Sequence, residues 1–208
     1  MTPILNVITP VSRPENLDRI YSNLLTLEGL SVRWYPIADA RWADATAKAI
    51  AGIAVGSVPI CHGSVNETHG WGGWARSYAL SKIVEGWNYF LDDDNLMHPS
   101  FDALFLRGIA ENPGARCIIF RQVHPDGRRR LQAGPQYCRT GHFDTGQFVI
   151  HQELIGETTY EPKHPHYVTW PAVGCGDGAF IQKFYPRFAD RFHFMDEAGT
   201  FYNALNRG

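Results

Sequence analysis

Three consecutive aspartates, Asp92, Asp93 and Asp94, have the residue type and spacing best suited to chemistry in this sequence. They follow an apolar segment, residues 89–91, which predicts a buried strand that ends in an acidic cluster. Carboxylates this close raise one another's pKa unless a divalent cation or solvent neutralises them. Mg²⁺ and Mn²⁺ bind such oxygens, and the ion can bridge a diphosphate and stabilise a departing nucleotide. The cluster therefore predicts a metal and diphosphate site; the alternative is a solvated acidic turn, or a helix N-cap ahead of Pro99.

The segments before the aspartates predict the sheet that must position them. Strand and helix patterns alternate through the first half of the chain, which predicts an α/β fold with a mostly parallel central sheet flanked by helices. The predicted strands are residues 4–9, 31–37, 58–61 and 87–91, and the predicted helices are one after a capping box from Ser12 to Glu15 and one over 74–85. Ligands of open α/β sheets bind outside the carboxyl ends of the strands. The polar residues after the first, second and fourth strands are therefore expected to converge on one crevice.

The second half of the chain predicts fewer regular elements. A helix is expected over residues 99–112, a strand over 116–121 and a hairpin turn at 125–127. Three further segments have loop composition and are expected to shape a second substrate site: residues 141–150, 161–171 and 174–178.

Length, charge and cysteine spacing limit the class of protein. A chain of 208 residues predicts one domain with a buried core and a cleft. The net charge is −2 and the basic run at residues 128–130 is short, so no nucleic-acid partner is expected. The cysteines lack a Cys-x-x-Cys spacing, which favours reduced thiols in the cytoplasm. The sequence predicts no signal peptide and no transmembrane segment.

Several segments, in their order along the chain, resemble those of the GT-A glycosyltransferases, and specifically the family 2-type inverting enzymes. Val-Ile-Thr-Pro-Val-Ser-Arg-Pro-Glu-Asn at residues 7–16 resembles the family's opening strand and nucleotide loop. Gly-Gly-Trp-Ala-Arg-Ser at 72–77 resembles the Ala-Arg-Asn stretch, with Ser77 in place of the usual Asn. Phe-Leu-Asp-Asp-Asp-Asn at 90–95 resembles the Asp-x-Asp motif, with Asp92 and Asp94 at its two positions.

This resemblance implies roles for individual residues. Asp39, after the second strand, matches the acidic residue that faces the nucleotide base, and Asp92 and Asp94 are expected to bind the metal. The residues expected to contact the donor are Thr9, Pro10, Arg13, Asp39, Arg76, Asp92 and Asp93.

The resemblance also suggests a general base and a third metal ligand. Asp177 lies where the family has its Glu-Asp or Asp-Asp motif, and its carboxylate is expected to deprotonate the acceptor hydroxyl. The alternative for Asp177 is the N-cap of the following helix, with Asp144 and Glu197 as the next candidate bases. His193 is expected as a metal ligand; the alternatives are a structural histidine on a strand, or Asp196 or Glu197 in its place.

Aromatic and basic residues near these motifs have two interpretations each. Trp71 and Trp74 either offer a face to a sugar ring or base, or pack in the core. Arg121 and the run 128–130 either reach a diphosphate or an anionic acceptor, or are solvated on the predicted hairpin.

The expected function is a metal-dependent glycosyltransferase that uses Mn²⁺ or Mg²⁺ and a nucleotide-diphosphate sugar, with UDP the most common nucleotide among similar enzymes. The donor is expected over residues 1–98, and a glycan, lipid-linked or protein acceptor against residues 99–208. Three alternatives remain. A nucleotidyltransferase would normally carry a glycine-rich loop after the first strand, and residues 9–14 contain no glycine. A metal hydrolase would release phosphate without an acceptor. An inactive GT-A domain would bind nucleotide or glycan, or act as a scaffold, without turnover.

Overall fold

In the part of the chain that the structure describes, a nine-stranded sheet forms the centre of the protein. We describe it from a computed structural model, which covers residues 2–53, 56–66, 72–139, 141–156 and 175–205. The strands are β1 (Ile4–Val11), β2 (Ser31–Asp39), β3 (Gly63–Val65), β4 (Trp87–Phe90), β5 (Leu96–Met97), β6 (Cys117–Val123), β7 (Arg129–Leu131), β8 (Phe148–His151) and β9 (Phe192–Phe201). Their order across the sheet is β3-β2-β1-β4-β8-β6-β9-β5, with β7 paired to β6.

Most of the described strands run in one direction. β3, β2, β1 and β4 pair in parallel. β8 is antiparallel to both β4 and β6, so β6 runs in the same direction as β4, and β9 is parallel to β6. The carboxyl ends of these six strands therefore lie at one edge of the sheet, which is where ligands bind in α/β folds.

Helices cover both faces of the sheet. They are α1 (Leu17–Leu24), α2 (Ala43–Gly52), α3 (Gly73–Leu80), α4 (Phe101–Glu111), α5 (Gln152–Ile155) and α6 (Cys175–Phe188). One apolar cluster joins α1, α2 and α4 to one face, and a second joins α3, α5 and α6 to the other. Because side chains alternate along a strand, β1 contributes Leu5 and Val7 to the first cluster and Ile8 to the second. The predicted α/β class with a mostly parallel sheet is confirmed.

Several predicted elements differ from those observed. The third strand forms at Gly63–Val65, and the predicted segment 58–61 contributes an isolated bridge between Ile60 and Trp34. The capping box is absent, because the 3₁₀ turn Pro14–Asn16 has no side-chain cap. β8 and the start of α6 lie in segments with loop composition. The predicted loop 161–171 and Trp71 lie outside the described residues.

Among the described residues, no helix is both long enough and apolar enough to cross a membrane.

A glycine on β9 sets how closely this strand approaches the core. The parallel pairing of β6 and β9 shifts register between Arg121, which pairs with Ala198, and Gln122, which pairs with Thr200, and Gly199 lies at this irregularity. A Cβ atom at Gly199 would be 2.8 Å from the Cβ and Cγ atoms of Phe120, whose side chain is fully buried. The close approach therefore requires a residue without a side chain.

We expect Gly199→Ala to lower the free energy of unfolding by about 1–3 kcal/mol, because the added methyl group overpacks the core against Phe120. Urea unfolding measures the change. Gly52→Ala is the matched control, because a Cβ at the end of α2 meets no atom within 4 Å. Equal stability of Gly199→Ala and the wild type would contradict this description of the core.

Candidate active site

The three aspartates lie in a turn at the carboxyl edge of the sheet. The amide of Leu91 donates to the carbonyl of Ile8 (2.9 Å) and so continues the pairing of β4 with β1. The chain then turns, and the amide of Asn95 donates to the carbonyl of Asp92 (3.0 Å). We call residues 92–95 the acidic turn. Its position at the end of β4 is the one that the sequence predicts.

Asp93, the middle aspartate, is buried and binds the loop after β1. Its Oδ2 accepts from the amide of Ser12 (2.5 Å), the hydroxyl of Ser12 (2.9 Å) and the amide of Arg13 (2.7 Å). Its Oδ1 accepts from Nη1 of Arg13 (2.6 Å), and its carbonyl accepts from Nδ2 of Asn16 (2.8 Å). Both carboxylate oxygens are thus used within the protein. Asp93 positions the loop after β1, which differs from the donor contact expected from the sequence.

Asp92, the first aspartate, is paired with a buried arginine. Arg76 projects from α3, its side chain is 4% exposed, and its Nη2 donates to Oδ1 of Asp92 and to the hydroxyl of Thr145 (3.4 Å). The side chain of Asp92 is 33% exposed, so one part of it faces the solvent-accessible edge of the sheet. Arg76 therefore fixes the orientation of this carboxylate.

Acidic side chains from distant segments meet around Asp92. Burial raises the pKa of Asp92, the charge of Arg76 opposes this rise, and the charges of Asp144, Asp177 and Asp94 add to it, so that the pKa reaches about 7. The charges of Asp144 and Asp177 are thus close enough to Asp92 to affect its pKa, and Asp94 follows it in the acidic turn.

Asp94, the third aspartate, shares a guanidinium group with Asp93. Nη1 of Arg13 is 3.2 Å from Oδ2 of Asp94 and 2.6 Å from Oδ1 of Asp93. The side chain of Asp94 is 14% exposed and that of Arg13 is 41% exposed. The arginine therefore lies at the solvent side of the acidic turn.

The donor set of this region suits a divalent cation. Among the described residues, Asp92 is paired with Arg76, Asp94 with Arg13 and Asp144 with Arg130. Within the described ranges, no three His, Cys, Asp or Glu side chains form a ready-made metal cage. Mg²⁺-type sites often use one or two carboxylates plus substrate phosphates, so Asp92 and Asp94 fit an open site of this kind.

Asp177 lies in the first turn of α6 and is partly exposed. The helix begins at Cys175, two residues earlier, so Asp177 is inside the helix rather than at its N-cap. The alternative interpretation of Asp177 as the cap of a helix starting at residue 179 is therefore wrong. Its proximity to Asp92 leaves the predicted catalytic role open to test.

A polar network lies on the other side of Asp92 and was not expected from the sequence. Asp144 accepts hydrogen bonds from the amide of Gly146 (2.9 Å), Nε2 of Gln122 (3.2 Å) and Nη1 of Arg130 (2.7 Å). The Cζ atom of Arg130 lies 3.3 Å from the ring centroid of Tyr202. Arg130 is thus not solvated on the hairpin. Asp144 has three protein donors, which disfavours it as an alternative base.

The chain after β9 holds the acidic turn from the opposite side. The amide of Leu205 donates to the carbonyl of Asp94 (2.9 Å), and the amide of Asn203 donates to Oδ1 of the fully buried Asn95 (2.8 Å). The acidic turn is therefore fixed by the segments that follow β1 and β9, the first and last of the described strands.

Thr9 and Pro10 occupy different environments. The side chain of Thr9 is fully buried, and its hydroxyl accepts from Nε1 of Trp34 (3.0 Å), so this side chain packs inside the fold and only the backbone of Thr9 is placed to meet a donor. Pro10 is partly exposed and packs against Gly72, where a Cβ would be 2.7 Å from that of Pro10. Gly72 also has φ = 78°, which favours glycine, and it leads directly into α3.

Asp39 ends β2 and is paired with Arg41. Its Oδ2 accepts from Nη2 of Arg41 (2.6 Å), and its Oδ1 accepts from the amide of the same residue (2.9 Å). Burial alone would raise the pKa of Asp39, but these hydrogen bonds outweigh it, and the pKa is lowered. Asp39 therefore stays ionised at the edge of the crevice.

His193 is far from the acidic turn, and the geometry does not support it as a metal ligand. It pairs with Ile118 near the start of β6, at the opposite edge of the sheet from the end of β4. Its Nε2 is 3.2 Å from Oε2 of Glu111 at the end of α4. The rival candidates Asp196 and Glu197 form ion pairs with arginines on the surface.

A groove of about 450 Å³ is lined by residues of β3 and α3. Trp74 is among the lining residues and is partly exposed, so it is not a fully buried core residue. The lining residues are Ser64, Val65, Asn66, Trp74, Ser77 and Tyr78.

The fold is similar to that of several solved structures. Mannosyltransferase PcManGT from Pyrobaculum calidifontis, in complex with GDP-Man and Mn²⁺, has a TM-score of 0.72 and 15% identity, covering 100% of this chain and 59% of that one. S. aureus TarS 1–349 in complex with UDP-GlcNAc has a TM-score of 0.70 and 13% identity, covering 98% and 59%. HddC from Yersinia pseudotuberculosis has a TM-score of 0.54 and 14% identity, covering 96% and 92%.

These similarities concern the fold alone, because the identities are low. No protein-family model and no curated protein matches the sequence. The chain shares the fold of PcManGT and of TarS 1–349 and spans about three fifths of their length.

We expect Asp93→Asn to lower the free energy of unfolding by about 2–3 kcal/mol, because an amide nitrogen would replace one buried acceptor that faces N–H and O–H donors. Chemical denaturation measures the change. Asp126→Asn, in the exposed turn between β6 and β7, is the control and should leave the midpoint unchanged. An Asp93→Asn variant as stable as the wild type would show that the contacts to Ser12 and Arg13 do not hold the loop.

Proposed function

We propose that the chain is a metal-dependent glycosyltransferase that uses a nucleotide-diphosphate sugar. The observation that carries this proposal is the arrangement of Asp92 and Asp94 beside Arg13 and Arg76 at the carboxyl edge of the sheet. Carboxylates suit a hard divalent cation, and guanidinium groups suit diphosphate oxygens. The fold that the chain shares with PcManGT and TarS 1–349 supports the same assignment.

Asp92 and Asp94 would hold Mn²⁺ or Mg²⁺ in this function. The bound ion would neutralise charge on the diphosphate as it leaves. Arg76 keeps the Asp92 carboxylate oriented, and Asp93 keeps the loop that carries Arg13 in place. Most of the acceleration would come from this preorganised charge.

Asp177 is our candidate for the general base. Its carboxylate lies near Asp92, where the sugar attached to the diphosphate would end, and it is partly exposed to an incoming acceptor. Asp177 would take the proton of the acceptor hydroxyl as that oxygen attacks the anomeric carbon and the bond to the diphosphate breaks. Attack from the face opposite the leaving group inverts the configuration at this carbon.

UDP is our first choice of nucleotide, with GDP next. PcManGT is bound to GDP-Man and TarS to UDP-GlcNAc, so the fold accommodates either base. We propose that the donor occupies residues 1–98, near Pro10 and Asp39, and that a glycan, lipid-linked or protein acceptor approaches residues 99–208.

The first test is a thermal-shift series with UDP, GDP, CDP and dTDP, each with and without Mn²⁺. A ligand that binds the native state raises the apparent stability, so we expect one nucleotide to raise Tm by about 5 °C or more when Mn²⁺ is present. Asp94→Ala should abolish the metal-dependent part of this shift. Asp196→Ala removes an exposed carboxylate of a surface ion pair and should behave as the wild type.

A rise in Tm with a nucleotide that is the same with and without Mn²⁺, together with no turnover of any donor, would favour a binding or scaffold role. No shift with any nucleotide would exclude the proposed donor class.

A second test separates binding from transfer. Asp177→Asn should bind nucleotide and Mn²⁺ as the wild type does, because the amide keeps the shape of the side chain. It should release nucleoside diphosphate from the donor at least about 100-fold more slowly, because the base is lost. Product release is measured with candidate acceptor sugars and with water. Wild-type rates in this variant would move the base role to another residue.

A further inference from the structure

Arg13 holds an unusual position among the charges of the acidic turn. One nitrogen atom, Nη1, contacts the carboxylates of both Asp93 and Asp94. Of these two, Asp93 is committed to the loop after β1, whereas Asp94 is a proposed metal ligand. The guanidinium group of Arg13 therefore occupies one face of a carboxylate that a divalent cation would need.

The backbone of Arg13 is fixed, but its side chain is not enclosed. Its amide donates to Asp93, and its carbonyl accepts from the amide of Asn16 (3.0 Å), which anchors the Cα atom. The side chain is 41% exposed. Rotation of the side chain moves the guanidinium away from Asp94 and ends its hydrogen bond to Oδ1 of Asp93, while the three hydrogen bonds to Oδ2 of Asp93 still hold the loop.

Arg76 provides the contrast within the same site. Its side chain is 4% exposed, and it is held between Asp92 and Thr145. A buried guanidinium has no room to move and loses its counter-charge if it does, so Arg76 is a fixed part of the site. Of Arg13 and Arg76, Arg13 is therefore the one whose side chain can rotate.

We propose that Arg13 is a displaceable counter-ion that neutralises Asp94 in the absence of donor and turns to the donor diphosphate when a divalent cation binds Asp94. This inference rests on the proposed function and assigns a specific role to Arg13 within it. A guanidinium and a divalent cation repel each other strongly at contact distance, so they cannot both sit against the same carboxylate oxygen. The diphosphate offers the displaced guanidinium a pair of anionic oxygens, which it can bind with two parallel hydrogen bonds.

The exchange couples the binding of metal and nucleotide. A metal ion that binds alone must displace Arg13 from Asp94, and no anion then replaces Asp94 as a partner of Arg13, so the affinity of the protein for metal alone is low. When a nucleoside diphosphate binds as well, its oxygens become that partner. Each ligand therefore strengthens the binding of the other by the same factor. Without Arg13, metal alone should bind better and the nucleotide worse. A residue with a purely structural role would weaken both or neither.

The experiment compares Arg13→Met with the wild type. Binding of Mn²⁺ alone is measured by the electron paramagnetic resonance signal of the free ion, and binding of UDP and of GDP is measured by calorimetry in saturating Mn²⁺. We expect Arg13→Met to bind Mn²⁺ alone about fivefold more tightly or better, because a competing positive charge is gone. We expect it to bind the preferred nucleotide about tenfold more weakly, because a charged hydrogen-bond donor is lost.

Two further variants test whether the effect depends on the positive charge at position 13. Arg13→Lys keeps a positive charge and should bind Mn²⁺ alone as weakly as the wild type, which also provides a test if Arg13→Met does not fold. Arg41→Met removes an exposed guanidinium paired with Asp39, away from the acidic turn, and should leave the affinity for Mn²⁺ alone unchanged.

Different results would contradict the role of Arg13 and the proposed function. Unchanged or weaker binding of Mn²⁺ alone by Arg13→Met, or tighter binding by Arg13→Lys, would overturn the role of Arg13 even if nucleotide binds. A wild type that binds no nucleotide in the presence of Mn²⁺ would instead overturn the proposed function.

Discussion

The buried carboxylate of Asp93 is the interaction on which the candidate site depends. It joins two loops that are 80 residues apart in sequence and follow neighbouring parallel strands. Because its four hydrogen bonds come from Ser12 and Arg13, it fixes the loop after β1 against the acidic turn. The aspartates on either side of it are thereby left at the edge of the crevice, where each is paired with an arginine.

The arginines and aspartates together form a site of paired opposite charges. Arg76 is fixed by burial, Arg13 is exposed, and Arg130 is bound to Asp144 and lies over the ring of Tyr202. Burial raises the pKa of Asp92, and the charges of Asp144, Asp177 and Asp94 add to this rise. A site of this type is suited to ligands that bring positive charge with them or bind together with it, and a metal-bound nucleoside diphosphate has this property.

The sequence predicts the location of the acidic turn well, because a strand pattern followed by polar residues marks the carboxyl edge of a parallel sheet. It does not distinguish the three aspartates, because identical side chains in a turn have no periodicity. The burial of Thr9 was available from the sequence: Thr9 shares a strand face with Leu5 and Val7, and these pack in the core.

Other features depend on pairing that no local pattern contains. His193 is on a strand as expected, but its place at the start of β9 follows from the register with β6. The contacts of Arg130 follow from the return of the β6–β7 hairpin over Tyr202. The helix α2 is alanine-rich, yet Thr46 is its one buried residue, so it lacks the apolar stripe by which helices are recognised in a sequence.

The contacts of the acidic turn also determine when the site can form during folding. Residues near the start of the chain bind it through Asp93, and residues near 203–205 bind it through the carbonyl of Asp94 and the side chain of Asn95. Such non-local contacts are made late, because the loops between them must close first. During synthesis the aspartates emerge from the ribosome well before β9 does. In a nascent chain the aspartates would thus lack the contacts with residues 203–205. These contacts would form only after nearly all of the described chain had been made.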